Sequence, residues 1–359
     1  MREFGDAYRG KRVLLTGHTG FKGSWLALWL QRLGAHVTGI GLAPDTSPSH
    51  WALLRLKGVD DRCVDVRDAA GVAAVFAAAR PDVVFHLAAQ SLVRRSYRNP
   101  LETWSTNVMG TASVLDACRG QPSVRAIVVV TTDKCYENLE WDWSYREVDR
   151  LGGHDPYSAS KAATELVASS YRDAFFHQDG APLLASARAG NVIGGGDWSE
   201  DRLIPDIVRA VAAKSVAQIR SPQSTRPWQH VLEPLSGYLL VGQKLLEGHR
   251  EFGEPWNFGP ADEGNRTVGE VLTRLQANWP AMQWRAGENP QLHEAKLLHL
   301  DSSKARRRLQ WKPAWGLEQC LAATSAWYRV QLESGAPISA RQLDEYIDAA
   351  RGAGVAWAS

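Results

Sequence analysis

The chain has 359 residues, 44% of them hydrophobic, with 41 Lys plus Arg against 39 Asp plus Glu. That is enough for two domains with a sizeable core, and a net charge of +2 lacks the basic footprint of a nucleic-acid binder, so no nucleic-acid partner is expected. Cys63, Cys118, Cys135 and Cys320 lie far apart with no CxxC and no His at ligand spacing, which argues against a metal site or a disulfide framework and for a reducing, cytoplasmic compartment.

The charged opening MREFGDAYRGKR and the short apolar run Val13 to Leu15 suit neither a signal peptide nor a membrane span, so no membrane partner is expected. From there β-rich runs at Arg12 to Thr16, His36 to Leu42, Arg62 to Val66, Asp82 to Leu87, Ala126 to Thr131 and Leu184 to Arg188 alternate with helical patterns. The helices are expected at Trp25 to Leu33, Gly71 to Ala79, Thr103 to Cys118 and Tyr157 to Phe176. The runs around Val83-Val84-Phe85 and Ile127 to Val130 are continuously apolar, as strands covered on both faces should be. This alternation predicts an α/β fold, a Rossmann-like doubly wound parallel sheet.

Beyond about residue 190 the alternation gives way to helices near Leu203 to Lys214, Pro234 to Leu246, Thr267 to Asn278 and Leu317 to Glu333. A smaller, mainly helical C-terminal substrate lobe is expected there. The division is placed at residues 1–185 for dinucleotide binding and 186–359 for the substrate, with some segments returning to the first part. The 15 tryptophans are scattered and read mostly as packing, with Trp228 set apart by its neighbours.

The first strand runs into Gly17-His18-Thr19-Gly20-Phe21-Lys22-Gly23 and then a helix. Glycines in this setting let the backbone turn tightly and approach a pyrophosphate, which the helix N-terminus stabilises. The acidic residue that grips the adenosine ribose should close the second strand, yet Gly41 stands there. No Arg beside it would receive a 2′-phosphate, although Lys22 is placed to reach one, so the loop leaves NAD and NADP open. Tyr157 and Lys161, four apart on a helix announced by His154-Asp155-Pro156, share one face with Cβ atoms about 5–6 Å apart. A phenol with an ordinary pKa of about 10 is a poor base at neutral pH, and a neighbouring cation favours its phenolate. Thr131-Thr132 closes a buried strand, and such strand ends open onto the ligand crevice.

GxxGxxG, YxxxK and the strand-end threonine together resemble the extended short-chain dehydrogenase/reductase family over nearly the whole chain. The resemblance implies NAD as cofactor, with Leu87, Ala88, Ala89 and Gln90 beside the nicotinamide, Asn107 bracing the site and Asp65-Val66 receiving adenine. A narrower likeness lies in Gly17 to Leu26, Thr131 to Asn138, Gly195 to Trp198 and Arg226 to Val231. These segments resemble the family's nucleotide-sugar dehydratases, in particular those acting on CDP-glucose, which implies a role in deoxysugar and O-antigen biosynthesis. Other dehydratases of the family carry Glu where this chain has Lys134.

Dehydration at C4′ to C6′ would assign Tyr157 to the 4′-hydroxyl proton, Lys161 and Thr132 to its support, Asp133 to the departing 6′-hydroxyl and Lys134 to the C5′ proton. For those roles Asp133 must be protonated and Lys134 neutral, which burial and the charges nearby would favour. Ser91, Arg188, Asn191, Arg202, Arg226 and His230 are expected to hold the substrate, the arginines because a sugar diphosphate needs bidentate cations. His293-Glu294 is placed near the base, and the run Lys304 to Arg308 reads as a solvated face. The resemblance also implies a homodimer packing the Thr103 to Cys118 and Tyr157 to Phe176 helices, whose Ala159, Ala162, Ala163, Ala168, Ser169 and Ser170 permit close approach. A sugar-nucleotide epimerase would share Tyr157 and Lys161 but has no need of the acid and base after Thr132. A non-catalytic dinucleotide sensor would be expected to have lost one of the first two.

Overall fold

The computed structural model describes residues 3–260, 264–287 and 297–359. Six strands come first in the chain: β1 (Arg12–Thr16), β2 (His36–Gly41), β3 (Asp60–Cys63), β4 (Val83–His86), β5 (Ala126–Val130) and β6 (Leu183–Ala189). With the Pro255–Phe258 strand they form one seven-stranded sheet, in the order Pro255–Phe258, β6, β5, β4, β1, β2, β3. Every pairing in it is parallel. Every residue of β4, β5 and β6 is buried, which is why their sequences read as apolar or small runs, interrupted only by His86 and Arg188. Between β1 and β4 the chain order reverses, and a crevice opens at the carboxyl ends of such neighbours.

The expected boundary at residue 185 falls inside β6, and the Pro255–Phe258 strand comes from the second half of the chain. Strand β3 lies earlier than its predicted position at Arg62 to Val66. It is an edge strand with all four residues exposed, so nothing apolar marks it. A helix at Ser339–Gly352, which the sequence reading did not anticipate, leads into a C-terminal segment that packs on the start of the chain. There the rings of Phe4 and Trp357 stack with centroids 4.9 Å apart, and Trp29 meets both edge-on. Glu233, wholly buried, ties this region together by accepting from the backbone of Ala314 and Trp315 and from the Tyr346 hydroxyl.

The basic run is not simply solvated. Lys304 and Arg308 both pair with Glu254 and lie over the Trp256 ring. Among the described residues no helix is long and apolar enough to cross a membrane, and no group of three or more His, Cys, Asp or Glu is placed to hold a metal. All four cysteines are free thiols. His293-Glu294 lies outside the described residues.

Candidate active site

A cavity of about 1260 Å³ runs along the carboxyl ends of the strands. Single-ligand pockets are roughly 300–1,000 Å³, so this space suits two ligands end to end. Gly17, Thr19, Gly20, Phe21, Lys22, Gly23, Asp65, Val66, Leu87, Ala88, Ala89, Gln90, Ser91, Thr132, Asp133, Lys134, Tyr157, Lys161, Asn191, Arg202 and Arg226 all line it.

The glycine loop forms a cradle that side chains would fill. Gly17 has φ +74°, and a Cβ there would lie 2.7 Å from the Ala88 backbone nitrogen. The Phe21–Arg32 helix starts one residue after Gly20 with no side-chain cap, which leaves its first N–H groups aimed at the cavity's edge for an anion. The space an acidic side chain would need beside Gly41 is taken by the His18 imidazole and the Thr19 hydroxyl, both 3.2 Å from a Cβ built at that glycine. His18 is held there by Asp61, 2.8 Å from its Nε2. Asp65 is committed to Arg67 through side-chain and backbone hydrogen bonds, which lower its pKa against the effect of burial.

Lys22 does not turn toward Gly41. Its Nζ donates to the Tyr238 hydroxyl at 3.3 Å, at the opposite end of the cavity, among the charges of Arg202, Asp133 and Lys161. Burial, helped by Arg202 and Lys161, brings this amine down to about 7. Its ammonium is therefore turned away from the position of a 2′-phosphate beside Gly41.

At that end the Pro156–Ala174 helix, capped by Asp155, presents Tyr157 and Lys161. Burial pushes the Tyr157 phenol up to about 12, while a hydrogen bond with Thr132 and the charge of Arg202 pull the other way. Lys161, brought down to about 8 by burial, donates to the Val130 carbonyl at 3.1 Å. Thr132 caps the turn Asp133–Cys135, receiving the Lys134 N–H and donating to Asp133 Oδ1 at 2.9 Å. Asp133 is 1% exposed, and its Oδ2 is buried without a partner. Asn107, in a π-helical turn, accepts from the Gln90 N–H and donates to Gln90 O and Ser160 Oγ, so it braces the wall without lining the cavity.

Residues 14–324 match the family described as GDP-mannose 4,6 dehydratase. The chain belongs to this family. A fellow relative, the CDP-glucose 4,6-dehydratase of Salmonella typhimurium, is 47% identical over 350 residues, covering 95% of this chain and 98% of its own. The dTDP-glucose 4,6-dehydratase of Xanthomonas campestris is 28% identical, over 88% and 92% of the two chains. Among solved structures, the Streptomyces venezuelae dTDP-glucose 4,6-dehydratase DesIV with NAD bound has a TM-score of 0.74 at 26% identity, covering 89% of this chain and 97% of its own. The epimerase Mth375 of Methanothermobacter thermautotrophicus, at 24% identity and a TM-score of 0.82, shares the fold. These likenesses fit the extended short-chain dehydrogenase/reductase architecture.

Two residues expected at the substrate are elsewhere in this member of the GDP-mannose 4,6-dehydratase family. Arg188 points into the core between β5, β6 and the Pro156–Ala174 helix, paired with Glu165 and donating to the Tyr136 hydroxyl. His230 is fully buried against Trp25 and Trp315, and burial lowers its pKa to about 3. Arg202 lines the cavity with 31% of its side chain exposed. It bonds Asp197 and Ser91 while its charge acts on Tyr157. Tyr238, from the helix Leu232–Leu246, is fully buried behind Lys22, which donates to its hydroxyl, and carries no motif in the sequence. Trp228 does line the cavity.

Proposed function

We propose that this chain is an NAD-dependent nucleotide-sugar 4,6-dehydratase that converts CDP-D-glucose to CDP-4-dehydro-6-deoxy-D-glucose and water. The observation that carries this reading is Thr132-Asp133-Lys134 at the end of β5 facing Tyr157. Oxidation of an alcohol needs only Tyr157, Lys161 and Thr132, whereas loss of water needs a further acid and base. The relatives named above as 4,6-dehydratases support it.

Gly17, Thr19, Gly20, Phe21 and Gly23 would hold the cofactor's pyrophosphate, Asp65 and Val66 its adenine, and Leu87 to Gln90 with Lys161 its other end. Bound NAD supplies the hydride acceptor for C4′ and the donor for C6′. Tyr157 takes the 4′-hydroxyl proton, with Thr132 hydrogen-bonding the same oxygen. Asp133 protonates the departing 6′-hydroxyl, and Lys134 handles the C5′ proton. Arg226, Arg202, Asn191 and Ser91 orient the nucleotide diphosphate end.

Incubation with NAD and each of the CDP-, dTDP-, UDP- and GDP-linked hexoses tests this. CDP-glucose is expected to lose the mass of one water. Product of unchanged mass would mean C4 epimerisation, the second reading.

A homodimer in the cytoplasm completes the proposal. Ala162 and Ala168 are buried within the chain, so close helix approach does not rest on them. Large apolar side chains are instead exposed on these two stretches, Met109 at 60% and Leu166 at 61%, with Leu101 at 83% just before the first. Light scattering at micromolar concentration is expected to give twice the chain mass, and Leu166→Glu to halve it. The free thiols fit a reducing compartment.

A further inference from the structure

The NAD site proposed above, on which this inference rests, lies where the sheet order runs β4, β1, β2. The glycine loop that follows β1 is therefore flanked by the segments that follow β2 and β4. The hydride that leaves C4′ returns at C6′, so the cofactor is needed at every turnover and has no need to leave between turnovers. Chemistry of this kind tolerates, and benefits from, a contact that shuts the cofactor in.

One guanidinium spans that crevice. Arg95, on the helix Val93–Arg98 after β4, donates from Nη1 to Asp45 Oδ2 at 2.7 Å, and Asp45 belongs to the segment between β2 and the helix His50–Leu54. The same side chain donates from Nε to Glu200 Oε1 at 3.0 Å, an oxygen that Arg98 Nη2 also reaches, at 2.6 Å. Glu200 comes from the second half of the chain, where its neighbour Asp201 accepts from Arg220 at 3.0 Å. Asp45, Arg95 and Glu200 all line the cavity. A planar fork with donors on two edges holds two carboxylates at once in fixed geometry.

We infer that Arg95 is a clasp over the cofactor, joining the cofactor side at Asp45 to the substrate side at Glu200, and that NAD enters and leaves when the clasp opens. Both of its ends grip protein and neither grips the cofactor. Closing it therefore slows entry and exit alike and leaves the affinity nearly unchanged. Arg95, Asp45 and Glu200 are 31%, 63% and 42% exposed, so water and salt reach both ion pairs and each opens readily. The effect differs in sign from that of simple charge. Neutralising Asp45 or Glu200 removes negative charge beside an anionic pyrophosphate, which by Coulomb's law alone would slow release. Opening a clasp speeds it.

The test follows NADH on the full chain by stopped-flow fluorescence, excited through the tryptophans, with excess NAD as the displacing ligand. Asp45→Asn and Glu200→Gln should each raise the dissociation rate roughly two- to fivefold, the range of one partly exposed ion pair. The association rate should rise by a similar factor. Raising NaCl to about 0.5 M should narrow the gap between wild type and variants, because screening opens the wild-type clasp. Dissociation that is slowed or unchanged in both variants overturns the proposal. Faster dissociation with association unchanged, and affinity lost in proportion, makes the carboxylate a direct cofactor contact and overturns it as well. Both substitutions keep the side chain's shape at a partly exposed position, and should one variant not fold, the other decides. A wild-type chain that binds no NADH defeats the cofactor reading itself and is distinguishable from every result above.

Discussion

Arg188 Nη2 lies 2.8 Å from Glu165 Oε2, and both side chains are 2% exposed. The carboxylate also accepts from Thr131 and Ser186. Burial alone would raise its pKa, but Arg188 and these hydroxyls outweigh that and hold it below the usual carboxylate range. Glu165 stands one helical turn beyond Lys161, so the pair locks the catalytic helix to the ends of β5 and β6. Removing one partner strands the other charge in the core. Arg188→Met is therefore expected to lose about 3–5 kcal/mol of stability, measured by urea unfolding. A variant of normal stability with only a raised KM would return Arg188 to the substrate.

Arg226 offers the contrast. It lines the cavity from a short strand, with Nη1 bonded to its neighbour Thr225's carbonyl. Hydrogen bonds to charged groups contribute about 1.5–3 kcal/mol, so Arg226→Ala should raise KM for the nucleotide sugar roughly 10–100-fold. The melting temperature should barely move. Loss of stability with KM unchanged would make it a structural residue.

The difference between these two arginines marks where the sequence stops speaking. Both stand in strands near candidate site residues, and only the fold places Glu165, 23 residues away on a helix, against Arg188. Lys22 was visible as part of the glycine loop, whose backbone is read from its spacing. A four-carbon side chain can point either way from a helix's first turn, and this one points to Tyr238, 216 residues on. The buried strands announced themselves because both faces are covered, whereas β3 is an exposed edge of Asp, Asp, Arg and Cys. Tyr157, Lys161 and Thr132 were legible because helix spacing and strand ends fix their direction locally.

Glu233 gives the fold a pH dependence of known sign. Burial raises its pKa from 4.5 to about 7, partly offset by the Trp315 N–H, the Tyr346 hydroxyl and the Ala314 N–H. The unfolded chain therefore gives up this proton near pH 4.5 while the folded chain keeps it to about 7. Stability is full below pH 4.5, falls as pH rises to about 7 and stays reduced above. The difference is on the order of 3 kcal/mol. Glu233→Gln keeps an acceptor for the backbone donors and cannot ionise. Its stability relative to wild type should rise between pH 5 and pH 8 in thermal unfolding curves, and a constant difference across that range would refute the assignment.

Lys134 follows Asp133 on the strand-end turn and lines the cavity, with its N–H held by Thr132. If it handles the C5′ proton, Lys134→Ala should slow elimination far more than oxidation at C4′, by roughly 10²–10⁴. Solvent deuterium entering C5′ and water leaving C6′ are measured separately to divide the steps. Lys134→Glu then distinguishes base from charge. A carboxylate of similar reach should restore part of the activity lost in the Ala variant if any base suffices at this position. If the ammonium serves only as a cation, the added negative charge beside Asp133 should make Glu worse than Ala. Wild-type rates of both steps in Lys134→Ala would remove Lys134 from the mechanism and leave the C5′ proton to another group at the same end of the cavity, with Lys22, brought down to about 7, the next to test.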